Sequence, residues 1–206
     1  MKKLFSFLTL GFITLFFVSA KMEEGYQVGD TVADFKLKNI DGSMLSLSDA
    51  KFADKKGVMV IFSCNHCPYV VAYEDRMIAL QEKYGTEIPI IAVNPNSQTH
   101  AEDSFEAMQK RAAEKGFKFD YLEDAEQTVA KTFGATRTPH VYLLKREGAS
   151  FVVSYIGAID NNHKDAAAVT EKYLENAIEA LKNGSALPAD KQVTKAVGCT
   201  IKWKQS

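Results

Sequence analysis

The chain has 206 residues, 46% of them hydrophobic and 25% charged, enough for the core of one ordinary globular domain. Its formal net charge of −1 excludes a protein that wraps a phosphate backbone, because no basic excess is available to neutralise one. No block of like charge marks a nucleic-acid arm or a basic membrane patch.

The start of the chain differs from the rest. Lys2 and Lys3 come first, a mainly apolar run covers residues 4–18, and Ser19-Ala20 ends it with small residues. This layout predicts a secretory signal peptide over residues 1–20. The run is close to the lower limit for a membrane span, so an uncleaved anchor is the competing expectation. The small residues directly after it favour cleavage. No later segment is long and apolar enough to span, so the mature chain is expected to lack a membrane span. Its expected location is periplasmic or secreted, in the oxidising envelope space of a bacterium. Residues 21–27 then read as a polar leader, 28–184 as the domain and 185–206 as a tail packing on it.

Residues 32–47 carry two short alternating runs around Asp41-Gly42, a hairpin signal. Residues 58–62 are continuously apolar and rich in β-branched side chains, as a buried central strand requires. Over residues 68–84, Val70, Val71, Met77, Ile78 and Leu80 recur at helical spacing, and Gly85 is a stop signal. Residues 88–93 predict a second buried strand, ended by Asn94-Pro95-Asn96. A helix is expected over 101–115, and a shorter one capped by Asp124 that stops before Gly134. The aromatic residues Phe105, Phe117, Phe119 and Tyr121 are expected to serve the core. Residues 140–144 and 151–156 read as two strands of a hairpin turning at 145–148. A last helix is expected over 170–182, capped by Thr170. This order predicts an α/β fold, a mixed central sheet flanked by helices, with an N-terminal β-hairpin extension.

Cys64-Asn65-His66-Cys67 lies between the central strand and the first helix. A helix N-terminus carries partial positive charge and unpaired N–H groups, which favour a thiolate. Cys64 is expected to be the more exposed, more acidic, attacking thiol and Cys67 the resolving one. His66, if partly charged, would stabilise the Cys64 thiolate further. A zinc half-site is one alternative, but such sites want two more Cys or His at related spacing. Only one other Cys exists, Cys199, and His100, His140 and His163 are isolated. A purely structural Cys64–Cys67 bond is another, and its short loop makes it a weak staple.

These residues, with Thr138-Pro139 before a hairpin, resemble the thioredoxin superfamily. The stretches at 64–70, 135–139 and 197–203 are similar to peroxiredoxin-like thioredoxin-family proteins. The resemblance covers residues 28–204 and implies a thioredoxin fold. It implies a cis Pro139 beside the redox pair, with Thr138 offering backbone groups to a bound polypeptide. Gly157 resembles the family glycine that admits substrate. Arg137 is a candidate for binding an acidic substrate group. Residues 58–62 offer no carboxylate to take the proton of Cys67. Residues 57–63 lack the Pro and Thr of the peroxiredoxin pattern, which makes a peroxidase role secondary.

Cys199 leaves two readings open: a third, exchanging thiol, or an inert Cys packed with Ile201 and Trp203. The expected activity is thiol–disulfide exchange with protein thiols or disulfides, served by a redox partner protein, with no metal or organic cofactor. A copper-binding thioredoxin-fold chaperone, using His140 or His163, and a thiol peroxidase are the alternatives.

Overall fold

The computed structural model describes residues 25–205. The expected signal peptide and most of the leader lie outside the described residues. In chain order the elements are β1 (Thr31–Val32), β2 (Lys36–Asn39), β3 (Met44–Ser46), β4 (Gly57–Phe62), α1 (Pro68–Tyr84), β5 (Ile90–Asn94) and α2 (Phe105–Lys115). They continue with β6 (Asp120–Glu123), α3 (Thr128–Phe133), β7 (Arg137–Thr138), β8 (His140–Glu147), β9 (Ser150–Gly157), α4 (Tyr173–Lys182) and β10 (Cys199–Thr200).

Eight strands form one sheet in the order β1-β9-β8-β4-β5-β6-β2-β3. The central β4, β5 and β6 run parallel, and β8 lies antiparallel to β4. Because successive side chains of a strand point to opposite faces, β4 feeds two cores. Val58, Val60 and Phe62 pack with α3 through Val129, Ala130 and Phe133, and with Leu45 of the hairpin. Met59 and Ile61 pack with Tyr73, Met77 and Leu80 of α1, Met108 of α2 and Ile178 of α4. A mixed sheet with helices on both faces results, and β4 is buried along its whole length. Among the described residues no helix is long and apolar enough to cross a membrane.

Several boundaries differ from the sequence expectation for local reasons. The helix expected from residue 101 starts at Phe105, because Ser104 Oγ accepts from the Ala107 N–H at 3.2 Å and caps it there. Residues 101–103 form a separate 3₁₀ turn. The helix expected from Thr170 starts at Tyr173, since the Thr170 hydroxyl instead accepts from Asn161 Nδ2 at 2.7 Å. The β8–β9 turn lies at Gly148 and Ala149, later than expected, with Gly148 at a φ of 60°. Asp124 serves α3 from a buried position, Oδ2 accepting from the Ala130 N–H at 2.8 Å. Phe119 and Tyr121 are core residues, whereas Phe105 is only half-buried, under the Lys38 ammonium at 3.7 Å.

After α4 the tail crosses back over the domain. Strand β10 pairs antiparallel with β7, Cys199 opposite Thr138 and Thr200 opposite Arg137. Ile201 joins the α3-side core. Trp203 is exposed, with the Lys131 ammonium over its ring.

Candidate functional site

Pro68 occupies the first turn of α1, where its missing N–H costs nothing, and Cys67 is the N-cap. Cys64 therefore sits before the helix, in the loop leaving β4. Asp103 organises that loop from the turn ahead of α2. Its carboxylate accepts the Asn65 N–H at 2.5 Å and the His66 N–H at 3.2 Å, and pairs with His66 Nδ1. Asn94 Nδ2 donates to the Asp103 carbonyl at 3.1 Å, and Tyr121 donates to Asn65 Oδ1 at 3.0 Å. The His66 ring stacks on His100 at 3.8 Å between centroids.

On the other side lies Thr138, joined by a cis bond to Pro139. Cys64 Sγ is 3.2 Å from Thr138 Oγ1. Cys67 Sγ is 3.3 Å from the Thr138 carbonyl oxygen, a packing contact, because this sulfur is in a disulfide and carries no proton.

The sulfur pairing differs from the expected one. Cys67 is bonded to Cys199 across a separation of 132 residues, and Cys64 is a buried free thiol. The antiparallel register of β10 on β7 carries Cys199 to the Thr138 level, beside Cys67. Cys199 is thus disulfide-bonded and half-buried, not the unpaired buried Cys of the packing reading.

The acidity expected of Cys64 is also reversed in this form. Cys64 is only 2% exposed. Burial pushes its thiol up to about 12, and the Asp103 charge adds to the rise. The Thr138 hydroxyl, the Cys67 N–H and the Asn96 side chain pull the other way and lose. His66 directs Nδ1 to Asp103, so its role here is to complete the loop's hydrogen bonding.

The three expected substrate-binding residues face the chain's own tail. Thr138 pairs with Cys199, and Arg137 Nη1 donates to the Gly198 carbonyl at 3.0 Å. Gly157, at a φ of 148°, lies so near Thr194 that a Cβ there would strike its hydroxyl. Gly198 is pressed in the same way onto the Thr138 carbonyl.

Cys64, His66 and Asp103 each have a ligand atom within 4.8 Å of the others, a group among the described residues that could hold a metal ion. His140 and His163 are elsewhere: His140 is buried beside Tyr142, and His163 packs on Tyr69. Asp160 binds Arg76 and Tyr73 and works as a turn anchor. The sequence gives no functional signal for Asp103 or Gln127, and it presents His100 only as an isolated histidine and Asn96 only as part of a strand-ending turn. Asp103 lies inside a stretch whose periodicity reads as uninterrupted helix, and only the Ser104 cap signal separates it from α2.

The model of the AhpC/TSA family matches residues 28–161. The chain belongs to the AhpC/TSA family. It is a redoxin of the thioredoxin superfamily, as its peroxiredoxin-like resemblance implies. It is 30% identical over 129 residues to the thioredoxin-like protein YneN of Bacillus subtilis (strain 168), covering 63% of this chain and 72% of that one. The crystal structure of a hypothetical protein from Sinorhizobium meliloti 1021 superposes with a TM-score of 0.77 at 30% identity, over 88% of this chain and 97% of that one. An uncharacterised conserved protein from Geobacillus kaustophilus gives 0.75 at 30% identity, over 87% and 94%.

Proposed function

We propose that this protein is an exported thiol–disulfide oxidoreductase of the bacterial envelope, exchanging disulfides with protein thiols through Cys64 and Cys67. A redox partner protein serves as its electron partner. The observation that carries this is the convergence of both sulfurs on Thr138, at the start of the cis-proline strand. Extended polypeptide pairs with a free strand edge through main-chain hydrogen bonds, which brings its sulfur within reach of the pair. The thiolate is the nucleophile, so exchange begins when Cys64 is uncovered and ionised.

The test is oxidation of a reduced two-cysteine peptide by the oxidised protein, and reduction of a disulfide peptide by the reduced protein. Cys64→Ser and Cys67→Ser each abolish both. Retained turnover in either variant would overturn the assignment. Equilibration with glutathione then sets the direction: ~−120 mV marks an oxidase and ~−270 mV a reductase.

The family match favours a second reading, a thiol peroxidase. It requires an acidic thiol, whereas Cys64 has the Asp103 carboxylate as a charged neighbour. Peroxide consumption with a dithiol reductant separates the two. A copper chaperone is disfavoured by its donor set, because the hard oxygen of Asp103 suits copper(I) poorly.

A further inference from the structure

The polypeptide-binding edge of β7 carries a strand of the protein's own tail. The tail just after β10 is held at several points besides the pairing of β10 with β7. The Ile201 N–H donates to the Thr136 carbonyl at 3.1 Å, and the Lys202 N–H donates to Asn96 Oδ1 at 2.9 Å. Gln127 grips it from both amide atoms: Nε2 donates to the Lys202 carbonyl at 2.7 Å, and Oε1 accepts from the Lys204 N–H at 2.8 Å. Gly198 permits main-chain contact so close that a side chain would collide with Thr138. This is how a bound peptide would sit, with its cysteine already bonded to one sulfur of the pair.

A simple staple needs no free thiol beside it. Here a free thiol shares the residue that both halves of the bond touch. Cys64 lies on the Thr138 hydroxyl, Cys67 lies on its carbonyl, and Cys199 is paired opposite.

We propose that Cys199 is a third redox cysteine that trades Cys67 with Cys64, and that β10 is a tethered internal occupant of the substrate edge, released by that trade. The inference rests on the exchange function proposed above and specifies how its site is regulated. Cys64 gives up its proton and attacks Cys67 Sγ. The Cys64–Cys67 bond forms, the Cys67–Cys199 bond breaks, and Cys199 leaves as a thiolate that takes up one proton. No electrons enter or leave, so the protein stays oxidised by one disulfide while β10 loses its covalent anchor. A substrate dithiol can then occupy β7 and reduce Cys64–Cys67, leaving three thiols and an oxidised substrate. In the tethered form Cys64 is buried under the tail, which keeps the pair silent until the edge is contested.

The experiment uses the full chain, oxidised, mixed with a reduced two-cysteine peptide and quenched at intervals with acid and N-ethylmaleimide. Digestion without reductant then maps the bonds, and chromatography separates reduced from oxidised peptide. The wild type should begin with Cys67 linked to Cys199. Alkylated Cys199 and a Cys64–Cys67 bond should appear before the peptide is oxidised, giving a lag. Cys199→Ser removes the bond, and Gly198→Val keeps the cysteine but drives β10 off Thr138. Both should remove the lag and raise the initial rate at least about tenfold, because a tethered strand competes at an effective concentration in the millimolar range. Turnover without alkylation of Cys199, at a rate equal in all three proteins, overturns the relay and leaves the exchange function standing. No turnover in three proteins with native circular dichroism overturns the exchange function itself.

Discussion

Cys64 Sγ lies 3.2 Å from the hydroxyl of Thr138, the residue against which β10 sets Cys199. The free thiol is thus under the tail strand, and its chemistry follows from that cover. Far below its pKa a thiol gains tenfold in thiolate for each pH unit. Burial holds Cys64 near 12. Alkylation of the oxidised protein by iodoacetamide should therefore be slow at pH 7 and climb about tenfold per unit from pH 7 to 10 without levelling. A plateau below pH 8 would show an acidic Cys64 and contradict the buried geometry.

Asp103 is the second cause of that high value, and Asp103→Asn tests it. The amide oxygen can still accept the Asn65 N–H, but the charge is gone. Alkylation at pH 9 should rise roughly three- to tenfold, as for a pKa lowered by half to one unit. Burial remains, so the thiol stays well above its ordinary value. Loss of the His66 pairing should also cost about 1–3 kcal/mol in urea unfolding. An unchanged alkylation rate would remove Asp103 from the electrostatics of the thiol.

The parts of this site that the sequence discloses are the locally determined ones. An unbroken apolar run must be buried, so β4 is legible, and Pro68 with the spacing of Val70, Met77 and Leu80 marks α1. The position of Cys64-Asn65-His66-Cys67 between them follows. The sulfur pairing does not, because it depends on β10 meeting β7 across 132 residues, and no local pattern encodes a register that distant. The two-residue β10 is too short to show a period. Asp103 was equally hidden, since a buried acid in a 3₁₀ turn reads as one more helical polar residue. Gly157 and Arg137 were visible as special residues, but a position alone cannot say that the neighbour is the chain's own tail.

An ion pair clamps α1 to α2, the helices that follow the Cys64 loop and the Asp103 turn. Glu74 is buried on α1 and takes Arg111 Nε at 2.7 Å and Nη2 at 2.6 Å, with Lys115 Nζ at 3.5 Å. Removing the guanidinium strands most of a buried charge. Arg111→Met should destabilise by roughly 2–4 kcal/mol, less than a fully uncompensated pair because Lys115 remains. The Glu74→Met/Arg111→Met double variant should recover at least about 1 kcal/mol of that loss. Urea midpoints of the four proteins form the cycle, and additive losses would refute the clamp.

His140, next to Pro139, sets a pH limit on the fold. It is 9% exposed, ring against Tyr142, and its Nδ1 has no hydrogen-bond partner among the described residues. Burial lowers its pKa to about 4, with the Arg137 charge contributing in the same direction. The unfolded chain takes up this proton near 6.5, so below that pH it binds more protons than the folded chain does. Stability is then full above pH 6.5 and falls as pH drops toward 4, by at most about 1.4 kcal/mol per unit. His140→Phe has no proton to gain and should show a flatter profile over that window, while both proteins share the carboxylate losses below it. Urea midpoints at pH 7.5, 5.5 and 4.5 make the comparison. If the wild type were no steeper than His140→Phe, the imidazole would have to be reaching solvent, and the packing of the strand that follows Pro139 would be looser than the structure has it.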